Sequence, residues 1–94
     1  MTETEAFQRA RTHHQAGRVR EAESLYRSIL QAQPGHPKAN HNLGVIELQA
    51  GQVAAAIPHF SAALAADSSQ AQFWFSYIAA LIAAGKNDDA WQAF

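Results

Sequence analysis

Five histidines, His13, His14, His36, His41 and His59, are the side chains with the widest chemical reach in this chain. Imidazole can ligate zinc, carry a proton or activate a nucleophile, and each use needs partners at a fixed spacing. A zinc site on a helix wants ligands one turn apart or a cluster with carboxylates. His13 and His14 are adjacent, so on a helix they diverge by about 100°. His36, His41 and His59 make no i, i+4 pair. No metal site is therefore expected. Glu47 and Asp67 stand alone in the sequence, and Asp88-Asp89 read as helix-capping residues. Arg9, Arg11, Arg18, Arg20 and Arg27 could touch phosphate, but Glu5, Glu21 and Glu23 are interleaved with them. That mixture reads as a solvated face with i, i+4 pairing. A glycine-rich phosphate loop and a nucleophile elbow are both missing. There is no cysteine, so no thiolate, disulfide or cysteine metal site. These residues assemble no catalytic site, and no cofactor is expected.

The bulk properties narrow the partners. A net charge of −1 gives no general attraction to nucleic acid or to acidic membranes. No apolar run reaches the roughly 18 residues of a membrane span. Met1 to Gln8 is polar and acidic, without the basic and apolar regions of a secretory signal. A cytoplasmic protein of one small domain is expected from these 94 residues.

The elements that must position any site are set by a repeat. Ala16-Gly17, Ala50-Gly51 and Ala84-Gly85 recur every 34 residues. Ala22, Ala56 and Ala90 follow in the same register, then Tyr26, Phe60 and Phe94, with Leu30 and Leu64 in the first two copies. A period of this length marks one supersecondary unit stacked on copies of itself. Everything between the Gly and Pro punctuation reads as helix. Thr2 with Glu5 forms a capping box for a first helix to about Gln15, stopped by Gly17. Val19 to Gln33 carries the stripe Ala22, Leu25, Tyr26, Ile29 and Leu30. A third helix opens on Pro37 and runs to about Ala50, with Leu43, Ile46 and Ala50 on one side. A fourth, Val53 to Ala66, contains Pro58 and is expected to bend mildly or start irregularly there. Ser69 is expected to cap a fifth helix that ends at Gly85, and Asn87 and Asp88 to cap a sixth. Small residues at Ala22, Ala56, Ala90, Gly44 and Ala10 allow close approach of paired helices, and the aromatics fill the space between hairpins.

Residues 40–64, NHNLGVIELQAGQVAAAIPHFSAAL, resemble a tetratricopeptide repeat through Leu43-Gly44, Gly51, Ala56, Phe60 and Ala63-Leu64. The first repeat matches with Gly17, Ala22, Tyr26, Leu30 and Pro34, and the third with Trp74, Gly85, Ala90 and Phe94. The resemblance implies an all-α solenoid of antiparallel helix hairpins: two full repeats, about 3–36 and 37–70, and a truncated third, 71–94. The third repeat departs from the pattern, with Tyr77-Ile78 where Leu-Gly would stand and Ser68 where proline would. Its second helix is cut short with no polar cap, so the chain is expected to be the N-terminal piece of a longer array or of a larger protein, or a piece that has lost its cap. Asn42-Leu43-Gly44 is also similar to the repeats of O-linked N-acetylglucosamine transferases, in which such asparagines hold extended peptide backbone. A basic clamp for a chaperone C-terminus is not expected, because Phe7, Arg11, Asn42, Gln72 and Ser76 fill its slots and only Asn42 fits.

By the same resemblance, the first helix of each repeat lines a concave surface. Phe7, Arg11, His14, Lys38, His41, Asn42, Val45, Leu48, Gln72, Phe75, Ala79 and Ile82 then face inward. This surface is polar towards the N-terminus and apolar towards the other end. It serves either as a seat for a peptide or an amphipathic helix, or as packing for neighbouring helices. Asn42 is the expected backbone or carboxylate binder, with Val45, Leu48, Phe75 and Ile82 as apolar anchors. Tyr77, Ile78, Leu81, Trp91 and Phe94 have no following hairpin, so self-association into a homo-oligomer through this end is expected. The function expected is a non-catalytic scaffold binding a protein or peptide. The alternative is an N-terminal arm that presents substrate to, or regulates, a larger bacterial glycosyl-, sulfo- or methyltransferase.

Overall fold

The computed structural model describes residues 1–87, and among them all regular structure is α-helical: α1 Glu3–Gln15, α2 Val19–Ala32, α3 Pro37–Gln49, α4 Val53–Ala66 and α5 Ala71–Asn87. The local chemistry explains the boundaries. The Thr2 hydroxyl accepts the Glu5 N–H at 3.1 Å, and the Glu5 carboxylate accepts the Thr2 N–H at 3.0 Å. This capping box opens α1, and the Thr2 N–H holds the Glu5 carboxyl below its ordinary range. The α1 and α3 helices both close through a glycine with positive φ, +82° at Gly17 and +81° at Gly51. At each, the glycine N–H bonds the carbonyl three residues back and the next N–H bonds the carbonyl five residues back. That double bond pattern caps a helix only with a left-handed residue at its end, which favours glycine. Pro37 occupies the first turn of α3, and the His36 ring accepts the Ala39 N–H at 3.0 Å. The α4 helix runs unbroken across Pro58.

Each helix packs on the next in the chain, and α3 also meets α5, which is the contact pattern of a solenoid. The core is a series of layers. Ala6, Ala10, Ala22, Tyr26, Ile29, Ala39, Leu43 and Ile46 form the first, between α1, α2 and α3. Ala56, Phe60 and Ala80 form the second, with Ala63, Leu64 and Phe73 beside them. Ala10, Ala22 and Ala56 are fully buried, as the repeat logic requires. Gly44 is the tightest point. A Cβ built there would stand 2.7 Å from Phe60 Cε1 and 2.9 Å from Cδ1. The Phe60 ring is itself fully buried and has nowhere to retreat.

Four expectations fail. Gly85 does not stop α5, which continues to Asn87. Val19 and Val53 stand two residues beyond Gly17 and Gly51, but polar Asn87 takes that place after Gly85. Ile78 also stands where the second repeat has Gly44. Asn87 lies within α5 rather than capping a new helix. Ser69 does not cap α5. Its N–H and hydroxyl both bond Asp67, and this holds the Asp67 carboxyl below its ordinary range. Ala50 is exposed rather than part of the α3 stripe, because it is already the C-cap residue. The expectations for Asp88, Asp89, Ala90, Trp91 and Phe94 lie outside the described residues.

Gly44→Leu forces a four-carbon side chain against the Phe60 ring. It should destabilise the domain by about 1–3 kcal/mol through overpacking, read as a lower urea midpoint by circular dichroism.

Candidate functional site

The helices α1, α3 and α5 bring six of the expected inward-facing residues to one cavity. Phe7, Arg11, Lys38, His41, Asn42 and Gln72 line about 320 Å³ of space, together with Gln70 and Phe73. Arg11 and Lys38 are exposed, and the lining includes two cations and no carboxylate. Phe7 is held by aromatic contacts, edge-on to Tyr26 at 5.8 Å and stacked with His36 at 5.7 Å. This fixes the wall of the cavity nearest α1.

The floor is a buried polar relay. The Asn42 amide donates to the Tyr26 hydroxyl at 3.1 Å, and its oxygen lies 3.1 Å from His41 Nδ1. Ser76 Oγ lies 2.8 Å from His41 Nε2. These neighbours assign the tautomer: Nδ1–H donates to Asn42 and Nε2 accepts from Ser76. His41 stacks on Phe73 with centroids 4.8 Å apart and leans on Phe60 at 5.7 Å. Burial pushes the His41 imidazole below its ordinary range, against the upward pull of its bond to Asn42. Burial likewise raises the Tyr26 hydroxyl, and the Asn42 bond opposes that shift.

Several expected site residues are placed differently from the inward-facing reading. His41 is only 4% exposed and is a spacer joining α3 to α4 and α5 rather than an open groove residue. Its two ring nitrogens are already taken. Val45 and Leu48 are half-buried against Ala56, Phe60 and Ala80, so much of their apolar surface serves the core. His14 is half-buried, with Nε2 3.3 Å from Gln49 Oε1. Phe75 and Ile82 are 73% and 53% exposed and lie outside the cavity lining. Tyr77, expected on the self-association surface, bridges two core clusters instead. It stands 34 residues after the fully buried Leu43 and takes over that core position. Ile78 and Leu81 are exposed.

One constellation was not visible in the sequence. Glu47, which stands alone there, is 2% exposed and accepts a hydrogen bond from His59 Nδ1. Its second oxygen is 3.6 Å from Arg27, which also pairs with Glu23 at 3.2 Å. Arg27, Glu47 and His59 thereby tie α2, α3 and α4 together. Their separations are not multiples of the helical or the repeat period, so no sequence pattern announces them. Among the described residues, no group of three or more His, Cys, Asp or Glu side chains is gathered for a metal. Among them too, no helix is long and apolar enough to cross a membrane.

Helix hairpins stacked in one direction, with an open polar cavity on the first helices, define a helical-repeat solenoid. The pattern of the tetratricopeptide repeat family matches residues 7–71 and again residues 41–94. The chain belongs to that family. Comparison with individual curated proteins returned no match. Repeats of this family generally mediate protein–protein interaction and are typically scaffolds rather than catalysts.

The neutral His41 gives a defined pH dependence. The unfolded chain takes up a proton on this residue at higher pH than the folded chain does. The stability from neutral His41 is therefore full above the ordinary histidine value of about 6.5 and is lost as pH falls below it. Urea unfolding followed between about pH 7.5 and about pH 5.5 should show a steeper loss of stability for the native chain than for His41→Gln.

Proposed function

We propose that this protein is a non-catalytic adaptor that binds a peptide segment or an amphipathic helix across the faces of α1, α3 and α5. The observation that carries the reading is the cavity in which Arg11 and Lys38 stand beside Asn42 and Gln72 with no carboxylate in the lining. Two cations with no carboxylate in the lining, and three amides, Asn42, Gln70 and Gln72, favour an acidic or backbone-carbonyl-rich segment. Asn42 gives one of its two amide N–H groups to Tyr26 and accepts from His41 on its oxygen, so it is held in one orientation before any partner arrives. A preorganised polar group lowers the ordering cost of binding. Phe75 and Ile82 extend the surface with exposed apolar area where an amphipathic partner would lay its apolar side.

The test uses peptides selected from a random display library against the 94-residue chain. Arg11 and Lys38 are exposed, so the double variant Arg11→Glu/Lys38→Glu should fold normally and lose at least about tenfold in affinity, or about 1.4 kcal/mol. The control Arg9→Glu/Arg20→Glu makes the same charge change at exposed positions outside the cavity lining and should bind as the native chain does. Equal binding by the native chain and the Arg11/Lys38 variant, read by fluorescence anisotropy, would place the binding surface elsewhere.

A further inference from the structure

The α5 helix carries an apolar seam that no other helix among the described residues covers. Ala71, Trp74, Ile78, Leu81 and Gly85 recur at alternating steps of three and four residues. That 3.5-residue period is the one by which one helix packs along another. Trp74, Ile78 and Leu81 are 45%, 49% and 45% exposed, and Phe75 and Ile82 flank them. No charged residue lies between Ala71 and Gly85.

We propose that this seam pairs with the same seam of a second copy of the chain, α5 against α5. Three observations select that occupant. First, cover of the kind Phe60 gives α3 does not fit. Ile78 stands where Gly44 stands one repeat earlier, and at Gly44 even a Cβ would meet the ring at 2.7 Å. The helix also continues through Gly85, so the turn used at Gly17 and Gly51 is not made there. Second, the seam is neutral along its length, so two copies meet without like-charge repulsion. Trp74 already donates its indole N–H to the Ser68 carbonyl at 2.9 Å, so burying the ring strands no donor. Third, the area is right. The exposed parts of the five large side chains amount to roughly 500 Å² per copy, which matches the apolar share of a standard interface burying about 800 Å² per partner. A two-fold pairing of identical seams closes on itself and stops at a dimer. The proposal is carried by Trp74, Ile78 and Leu81, which lie outside the cavity lining, so it stands without the groove reading; Phe75 and Ile82 border both surfaces, so a second copy and an amphipathic partner compete for those two side chains.

Sedimentation equilibrium on the 94-residue chain, from low micromolar to high micromolar concentration, tests it. The expected result is a monomer–dimer equilibrium. Ile78→Glu/Leu81→Glu should raise the dissociation constant at least tenfold while the helical circular dichroism is kept. Ile78→Ser/Leu81→Ser should do the same and serves if the glutamates disturb the fold. In a Trp91→Phe background, Trp74 is the remaining tryptophan, and its emission should shift to the red on dilution. A monomer at every concentration would overturn the proposal. So would a dimer that survives both double variants. A full chain that stays monomeric while residues 1–87 dimerise would overturn it in favour of residues 88–94 as the cover.

Discussion

The contact on which the rest of the structure depends is the Phe60 ring laid against the bare backbone of Gly44. With no side chain there, α4 comes close enough for the ring to be fully buried between the helices. From that seat Phe60 also reaches His41, and His41 in turn stacks on Phe73 and bonds Ser76 of α5. The position of α5 beside α3 therefore follows from how α4 is seated. The first repeat uses a looser version of the same joint, with Ala10 in place of glycine and Tyr26 in place of phenylalanine. The extra hydroxyl of Tyr26 is what holds Asn42. Two variants of one packing rule thus converge on the side chains of a single cavity.

The core is not purely apolar, and its polar members sit where helices meet, both within a repeat and between repeats. Asn40 donates to the carbonyls of Pro34 and His36 at 2.9 and 3.1 Å and locks the turn between α2 and α3. Glu47 is held by His59 and Arg27, and His41 by Asn42 and Ser76. Among the described residues no buried side-chain nitrogen or oxygen lacks a partner. Satisfied buried networks specify register, because a shifted helix would strand their donors and acceptors in a low-dielectric interior. An alanine-rich helix such as α4 has few large side chains to fix its position against α3. The Glu47–His59 bond supplies part of that specificity.

What was legible in the sequence was whatever repeats or punctuates. The 34-residue period placed Ala22, Ala56 and Gly44 at the close contacts, and the capping chemistry of Thr2, Gly17, Pro37 and Gly51 set the helix ends. Those signals are local or periodic. The failures have a common physical origin. The Glu47–His59 and His41–Ser76 pairs join residues 12 and 35 apart, a matter of side-chain direction rather than of pattern. Gly85 carries the same local signal as Gly17 and Gly51. Its helix nevertheless continues to Asn87, so a glycine alone does not fix the end of a helix. The candidate cavity was half legible. The residues facing it followed from the family resemblance, but the consumption of His41, Val45 and Leu48 by the core did not.

The Gly44–Phe60 seat can be observed directly by nuclear magnetic resonance of the labelled chain. An aromatic ring packed over the glycine should move the Gly44 Hα resonances strongly upfield by its ring current. Nuclear Overhauser contacts should join those protons to the Phe60 ring. Gly44 Hα resonances at ordinary helical positions, with no contact to Phe60, would contradict the packing from which the placement of α5 and the cavity have been derived.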